Sequence, residues 1–161
     1  RRGLFGLSND VSKRNLGPPT VEEIRLSLRD NSPADNTLLD DFEFDAAEIA
    51  QAVVRPLQYW NEIPPPLRPA QTTKTFPFRE MWLLGIQANL FSIAANNYRR
   101  NDLQYTAGGV AVADKAKEQV YAAAGGRLMQ EFQGMLRAKK IEINISMFSG
   151  SIGSSYGGLF Y

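Results

Sequence analysis

Neither histidine nor cysteine occurs anywhere in the 161 residues of this chain. Losing both removes disulfides, thiolate nucleophiles, imidazole bases and nearly every zinc or copper site together. The compartment stays open, because a lack of cysteine only fails to suggest secretion. Long hydrophobic runs are scarce as well. The most apolar stretch, residues 81–95, is broken by Gln87 and Asn89 and falls short of the roughly 20 residues a membrane span needs. No signal-peptide pattern is present, so the chain is expected to stay out of the membrane. It begins at Arg1 without a methionine, which reads as a chain that is processed or short of its true N-terminus.

Motifs that carry chemistry are missing too. Carboxylates, Lys, Ser and Tyr are the groups left for catalysis. The acids of residues 30–48 lack the Asp-x-Asp-x-Asp-Gly spacing of a calcium loop, and Asp45 and Glu48 read as helix caps. Gly108-Gly109 is not followed by Lys-Ser/Thr, and Gly125-Gly126 falls inside a helical pattern, so no loop cradles a phosphate. A nucleophile elbow is absent. The expectation is a protein that is not an enzyme and holds no cofactor or metal.

What is present points to one folded domain. Apolar residues make up 43%, with nine Phe, six Tyr and two Trp, enough for a core in a chain of this length. The net charge is +1 but unevenly spread. Residues 1–29 hold six bases against three acids, residues 30–48 hold seven acids and no base, and the remainder holds twelve bases and seven acids. Solvated loops and capping acids would explain this; so would opposite patches meeting between copies of an oligomer. The pairs Arg1-Arg2, Lys13-Arg14, Arg99-Arg100 and Lys139-Lys140 are basic, yet the whole is near neutral, unlike a sequence-reading nucleic-acid module.

Along the chain, residues 1–19 mix Gly, Pro and isolated apolar residues and read as an extended arm. Thr20-Val21-Glu22-Glu23 is a capping box opening a short helix that ends near Arg29. Asp45 and Glu48 form a second, ahead of a stripe of Ile49, Val53, Leu57 and Trp60, with Pro56 expected to kink or shorten that helix. Ile63-Pro64-Pro65-Pro66-Leu67 reads as a stiff polyproline connector. A central helix from about Pro77 to Arg100 carries two apolar stripes, hence contact on two sides. After a loop over residues 101–113, Asp114 caps a last helix over 115–139. Val120, Ala124, Leu128, Phe132 and Met135 are its expected inner face, and Gly125-Gly126 suggest a kink or a close backbone crossing.

The end of the chain changes character. Residues 140–146 alternate apolar and polar, Lys-Ile-Glu-Ile-Asn-Ile-Ser, which predicts a β-strand with Ile141, Ile143 and Ile145 on one face. Beyond it, a Gly/Ser-rich stretch spaces Ile152, Tyr156, Phe160 and Tyr161 as isolated anchors. With helices upstream, that strand has no partner in its own chain, and another chain is expected to complete it. These seven residues are the candidate partner-binding set.

Five stretches resemble structural proteins of tailed-bacteriophage virions. They are Arg55-Pro56-Leu57-Gln58-Tyr59-Trp60-Asn61-Glu62-Ile63-Pro64-Pro65-Pro66, Phe76-Pro77-Phe78-Arg79-Glu80-Met81-Trp82-Leu83, Asn97-Tyr98-Arg99-Arg100-Asn101 with Tyr105-Thr106-Ala107-Gly108-Gly109, and Arg137-Ala138-Lys139-Lys140-Ile141-Glu142-Ile143-Asn144-Ile145. The likeness spans about residues 20–146 and is to head-to-tail connector, or neck adaptor, proteins. It implies a mostly helical subunit, twelve copies in a homo-oligomeric ring, and a terminal extension docked on the portal protein. It further implies tail or stopper proteins as neighbours, a share in the conduit for packaged DNA, and residence in the virion neck after assembly in the host cytoplasm. Another ring component such as a tail-completion protein, or a small nucleic-acid-binding module, are the alternatives. The expected fold is mainly α: about four helices over residues 20–140, an extended arm over 1–19, and a strand and docking tail over 141–161.

Overall fold

Two capping boxes set where the first helices start. In α1 (Val21–Leu28) the Thr20 hydroxyl accepts from the Glu23 amide while the Glu23 carboxylate accepts from the Thr20 amide. Asp45 and Glu48 repeat the exchange at the head of α2 (Ala46–Glu62). Each box satisfies two amides that the first turn would leave without partners. Two longer helices follow, α3 (Arg79–Arg100) and α4 (Asp114–Ile152), after a 3₁₀ turn at Pro33–Asp35 earlier in the chain. Between them β1 (Thr106–Ala107) pairs antiparallel with β2 (Val110–Ala111), Thr106 opposite Ala111. The computed structural model describes residues 17–30, 32–35, 41–100, 106–107, 110–111 and 114–152, side chains excepted at 35, 106–115 and 149–152.

The chain is mainly helical, as expected, and α3 is its centre. It packs against α4 most extensively, then against α2 and α1. Met81, Trp82, Gly85, Ile86, Ala88, Leu90, Ala94 and Ala95 are all buried along it, so contact comes from more than the two sides the stripes foretold. Trp60, Phe76, Phe78 and Trp82 form a cluster with ring centroids 5.2–5.6 Å apart, Phe76 meeting each of the other three edge-to-face and Trp60 tilted against Phe78; edge-to-face contact is a geometry that aromatic quadrupoles favour.

Glycine lets the helices approach. A Cβ on Gly85 would lie 2.8 Å from Pro56 Cγ and 3.0 Å from Phe132 Cε2, so α2, α3 and α4 converge there. Gly125 is the close crossing its sequence position suggested: a Cβ would stand 3.3 Å from the Ser92 backbone nitrogen and from Phe91 Cβ. Gly126 faces open space. Pro56 does not end α2, which continues to Glu62. A proline deprives its helix of a donor, and the Trp82 indole N–H, donating 2.8 Å to the Val53 carbonyl, adds one beside that gap. The run 63–67 bends at 63–65 instead of extending straight, with Pro64–Pro65 and Arg68–Pro69 both cis.

Two expectations about α4 are corrected. Its inner face matches the predicted one only in part: Phe132 is fully buried and Ala124 and Leu128 are half-buried, but Val120 is 67% exposed and Met135 44%, while Leu136 and Lys140 are fully buried and Tyr121, Met129 and Ile143 pack against the core. The helix also does not stop at residue 139. It runs unbroken to Ile152, so residues 141–146 are helical rather than a β-strand, and the boundary drawn at 140 lies mid-helix. Phe132, Leu136, Lys140 and Ile143 extend one helical stripe, and burial of Ile143 on that stripe outweighs the weak β preference of its isoleucines. The arm over residues 1–16 and the tail from 153 lie outside the described residues.

Candidate interaction surface

Helical geometry redistributes the candidate set. In a strand Ile141, Ile143 and Ile145 would share a face; in α4 Ile143 turns inward, half-buried against the core, and leaves the set. Ile141 and Ile145, one turn apart, remain outward at 52% and 62% exposed. Ile152 ends the helix, its side chain undescribed, and Tyr156, Phe160 and Tyr161 lie outside the described residues. Sequence reading missed Met135, Met147 and Phe148, all exposed. The spacing of Met135, Ala138, Ile141, Ile145 and Phe148 is the signal that could have found Met135 and Phe148: steps of three and four place these residues on one side of a helix. The result is an apolar row along the C-terminal half of α4.

A groove opens beside the row. The start of α3 and residues 135–142 of α4 enclose a cavity of about 610 Å³ lined by Pro77, Phe78, Met81, Met135 and Ala138, with Arg79, Glu80, Lys139 and Glu142 at its edges. Lys139 bridges to Glu142 at 2.8 Å, and its ammonium lies 5.5 Å from the Phe78 ring centre. Arg79 pairs with Glu23 and donates 2.8 Å to the Gly17 carbonyl, fixing the entry of the chain into α1 at the rim of the groove.

Other polar groups hold the fold. Asp30 accepts from Arg25 at 2.8 Å and from the Glu43 and Phe44 amides, and Arg25 closes the loop by donating to the Phe44 carbonyl. Glu43 accepts from the hydroxyls of Tyr98 (3.1 Å) and Tyr121 (2.8 Å), whose rings stack. Burial first, and then Glu43, push the Tyr121 hydroxyl above its usual pKa. Glu48 accepts from Asn97 besides capping α2. Four of the seven acids of residues 30–48, namely Asp30, Glu43, Asp45 and Glu48, are thus engaged within the subunit.

Lys140 is the one fully buried lysine among the described residues. Its ammonium donates to the Ile63 carbonyl at the end of α2 and lies 5.4 Å from the Trp60 ring centre. Burial lowers its pKa. No group of three or more metal-ligating side chains exists among the described residues, and no helix there is long and apolar enough to cross a membrane. Compared with known protein families, characterised proteins and solved structures, the chain matches none.

Proposed function

We propose that the chain is a structural subunit of a tailed-phage neck, an adaptor that forms a ring between portal and tail around the DNA path. The observation that carries this reading is the apolar row of Met135, Ile141, Ile145 and Phe148 on α4. An outward apolar row of this length marks a contact with another protein. The likeness of the five quoted stretches to neck adaptors supplies the kind of partner, and the helical bundle suits it. Spanning 39 residues against 22 in α3, α4 is the longer of the two packed helices, which supports a reading in which its last turns reach a partner. The role is assembly rather than catalysis, with the portal and the tail or stopper proteins as neighbours.

Electron microscopy of the chain mixed with a candidate portal tests it. The wild type is expected to add a closed ring to the portal. A variant carrying Ile141→Glu and Ile145→Glu is expected to keep its circular dichroism and melting temperature but to fail to add. Addition by that variant would remove the row from the interface. No ring on the portal, together with DNA binding that falls steeply with salt, would replace the adaptor reading with a nucleic-acid-binding one.

A further inference from the structure

We infer that the cleft between the middle of α2 and the middle of α3 is a binding site for a carboxylate carried on a short methylene stem. Two polar rows line it. Gln51, Arg55 and Tyr59 follow one another every four residues along α2, and Asn89, Ser92 and Asn96 follow at steps of three and four along α3. Such spacing puts each set on one side of its helix. Asn89 and Ser92 are half-buried on the central helix, where an apolar side chain would pack without the cost of a polar group. Neither ties α3 to another element. Asn89 donates to the Gly85 carbonyl at 2.7 Å and Ser92 to the Ala88 carbonyl at 2.9 Å, both one turn back on the same helix. Packing alone therefore does not explain these two residues, whereas the cleft they line does.

Charge selects the guest. Arg55 is the only charged side chain among the described residues that line the cleft. Its guanidinium makes no ion pair and no hydrogen bond with the described residues, and the same holds for the Gln51 and Asn96 amides and the Tyr59 hydroxyl. Four groups able to donate thus border one cavity, with no carboxylate of the subunit there to receive them. A guanidinium takes a carboxylate through two parallel N–H donors, and neutral amides or a phenol satisfy the remaining lone pairs. Tyr59 is held by edge-on contact with Phe132, ring centres 6.2 Å apart. Ala52, Ile93 and Met129 supply an apolar wall that suits a methylene stem, which inorganic phosphate lacks. The cavity of about 300 Å³ is small for a ligand pocket and fits a guest of this size. A free small diacid and a glutamate side chain of another protein share this chemistry. The inference stands apart from the adaptor reading, since its test contains neither portal nor DNA.

Glutarate is the first probe. It is titrated into the full chain at constant ionic strength while the side-chain amide protons of Gln51 and Asn96 are followed by NMR. Saturable shifts of both are expected. In Arg55→Gln the affinity is expected to fall at least tenfold, through loss of a charge-assisted pair. Circular dichroism should not change, because Arg55 is exposed. Arg127→Gln removes the same charge from an exposed α4 side chain outside the cleft and is expected to bind as the wild type does. Equal weakening by the two variants would reduce the effect to net charge and overturn the inference. Shifts that never saturate would overturn it too. So would inorganic phosphate binding as tightly as glutarate, which would put any oxyanion in place of a stemmed carboxylate. The blocked tripeptide acetyl-Gly-Glu-Gly-amide then separates the two sources. Affinity within tenfold of glutarate's makes the guest a protein side chain, and weaker binding than that makes it a free diacid.

Discussion

Lys140 sits where α4 passes the end of α2, with the Trp60 ring beneath its ammonium and the Ile63 carbonyl as acceptor. Taking an ammonium out of water is costly, and burial lowers its pKa from the ordinary 10.5. The unfolded chain therefore binds more protons than the native one between the lowered value and 10.5. Stability should rise with pH across that interval. Tyr121 works the other way at the alkaline edge: its raised pKa means that the native state keeps a proton the unfolded chain gives up above 10.0, so stability is lost there. Replacing a buried charge by an apolar side chain of similar length is often neutral or stabilising by about 1–4 kcal/mol. Lys140→Met is thus expected to melt at or above the wild-type temperature at pH 7, with the gap closing as pH approaches 10. Thermal melts of both proteins from pH 7 to 10 check this. A variant that melts several degrees lower at pH 7 would mean that the bond to Ile63 outweighs the burial.

At the scale of elements, glycine spacing decides how closely helices pass. Ala exceeds Gly in helix propensity by about 1 kcal/mol, so Gly126→Ala, into open space, should stabilise by up to that amount. Gly85→Ala meets the Pro56 ring at 2.8 Å and Phe132 at 3.0 Å. Neither a proline ring nor a buried phenyl can swing away, and overpacking of this kind costs roughly 1–3 kcal/mol. Opposite shifts of the two melting temperatures are the expected result; a stabilised Gly85→Ala would show that α2 and α4 can slide apart freely. The starts of α1 and α2 were legible in the sequence because a capping box is complete within four residues. Gly85 and the inner face of α4 beyond Phe132 were not, because α3 chooses which side of α4 is covered. Alternation at 141–146 misled for the same reason: Ile143 gains a core contact as helix, which a period-two reading cannot weigh. Of the candidate site, Ile141 and Ile145 were named from sequence, whereas Met135 and Phe148 needed the helix to be seen.

For the whole molecule, α4 is a single rod of about 58 Å that serves the core and the outer surface with different segments. Ending the chain after Lys140 removes Ile143 from the core and leaves Lys140 in a frayed last turn; ending it after Ser146 keeps both in place. In a chain of this size each kcal/mol shifts melting by roughly 2–4 °C. The shorter truncation product is expected to melt several degrees below the longer one by calorimetry. Equal melting would mean that the last turns of α4 lend nothing to the domain. One further consequence comes from the aromatic cluster. The chain has two tryptophans, Trp60 at 3% and Trp82 at 0% exposure, both touching Phe76 at the junction of α2 and α3. Its tryptophan fluorescence therefore comes from that one dry junction, blue-shifted while α2 lies on α3. Light emission can follow core opening in this protein with no added dye.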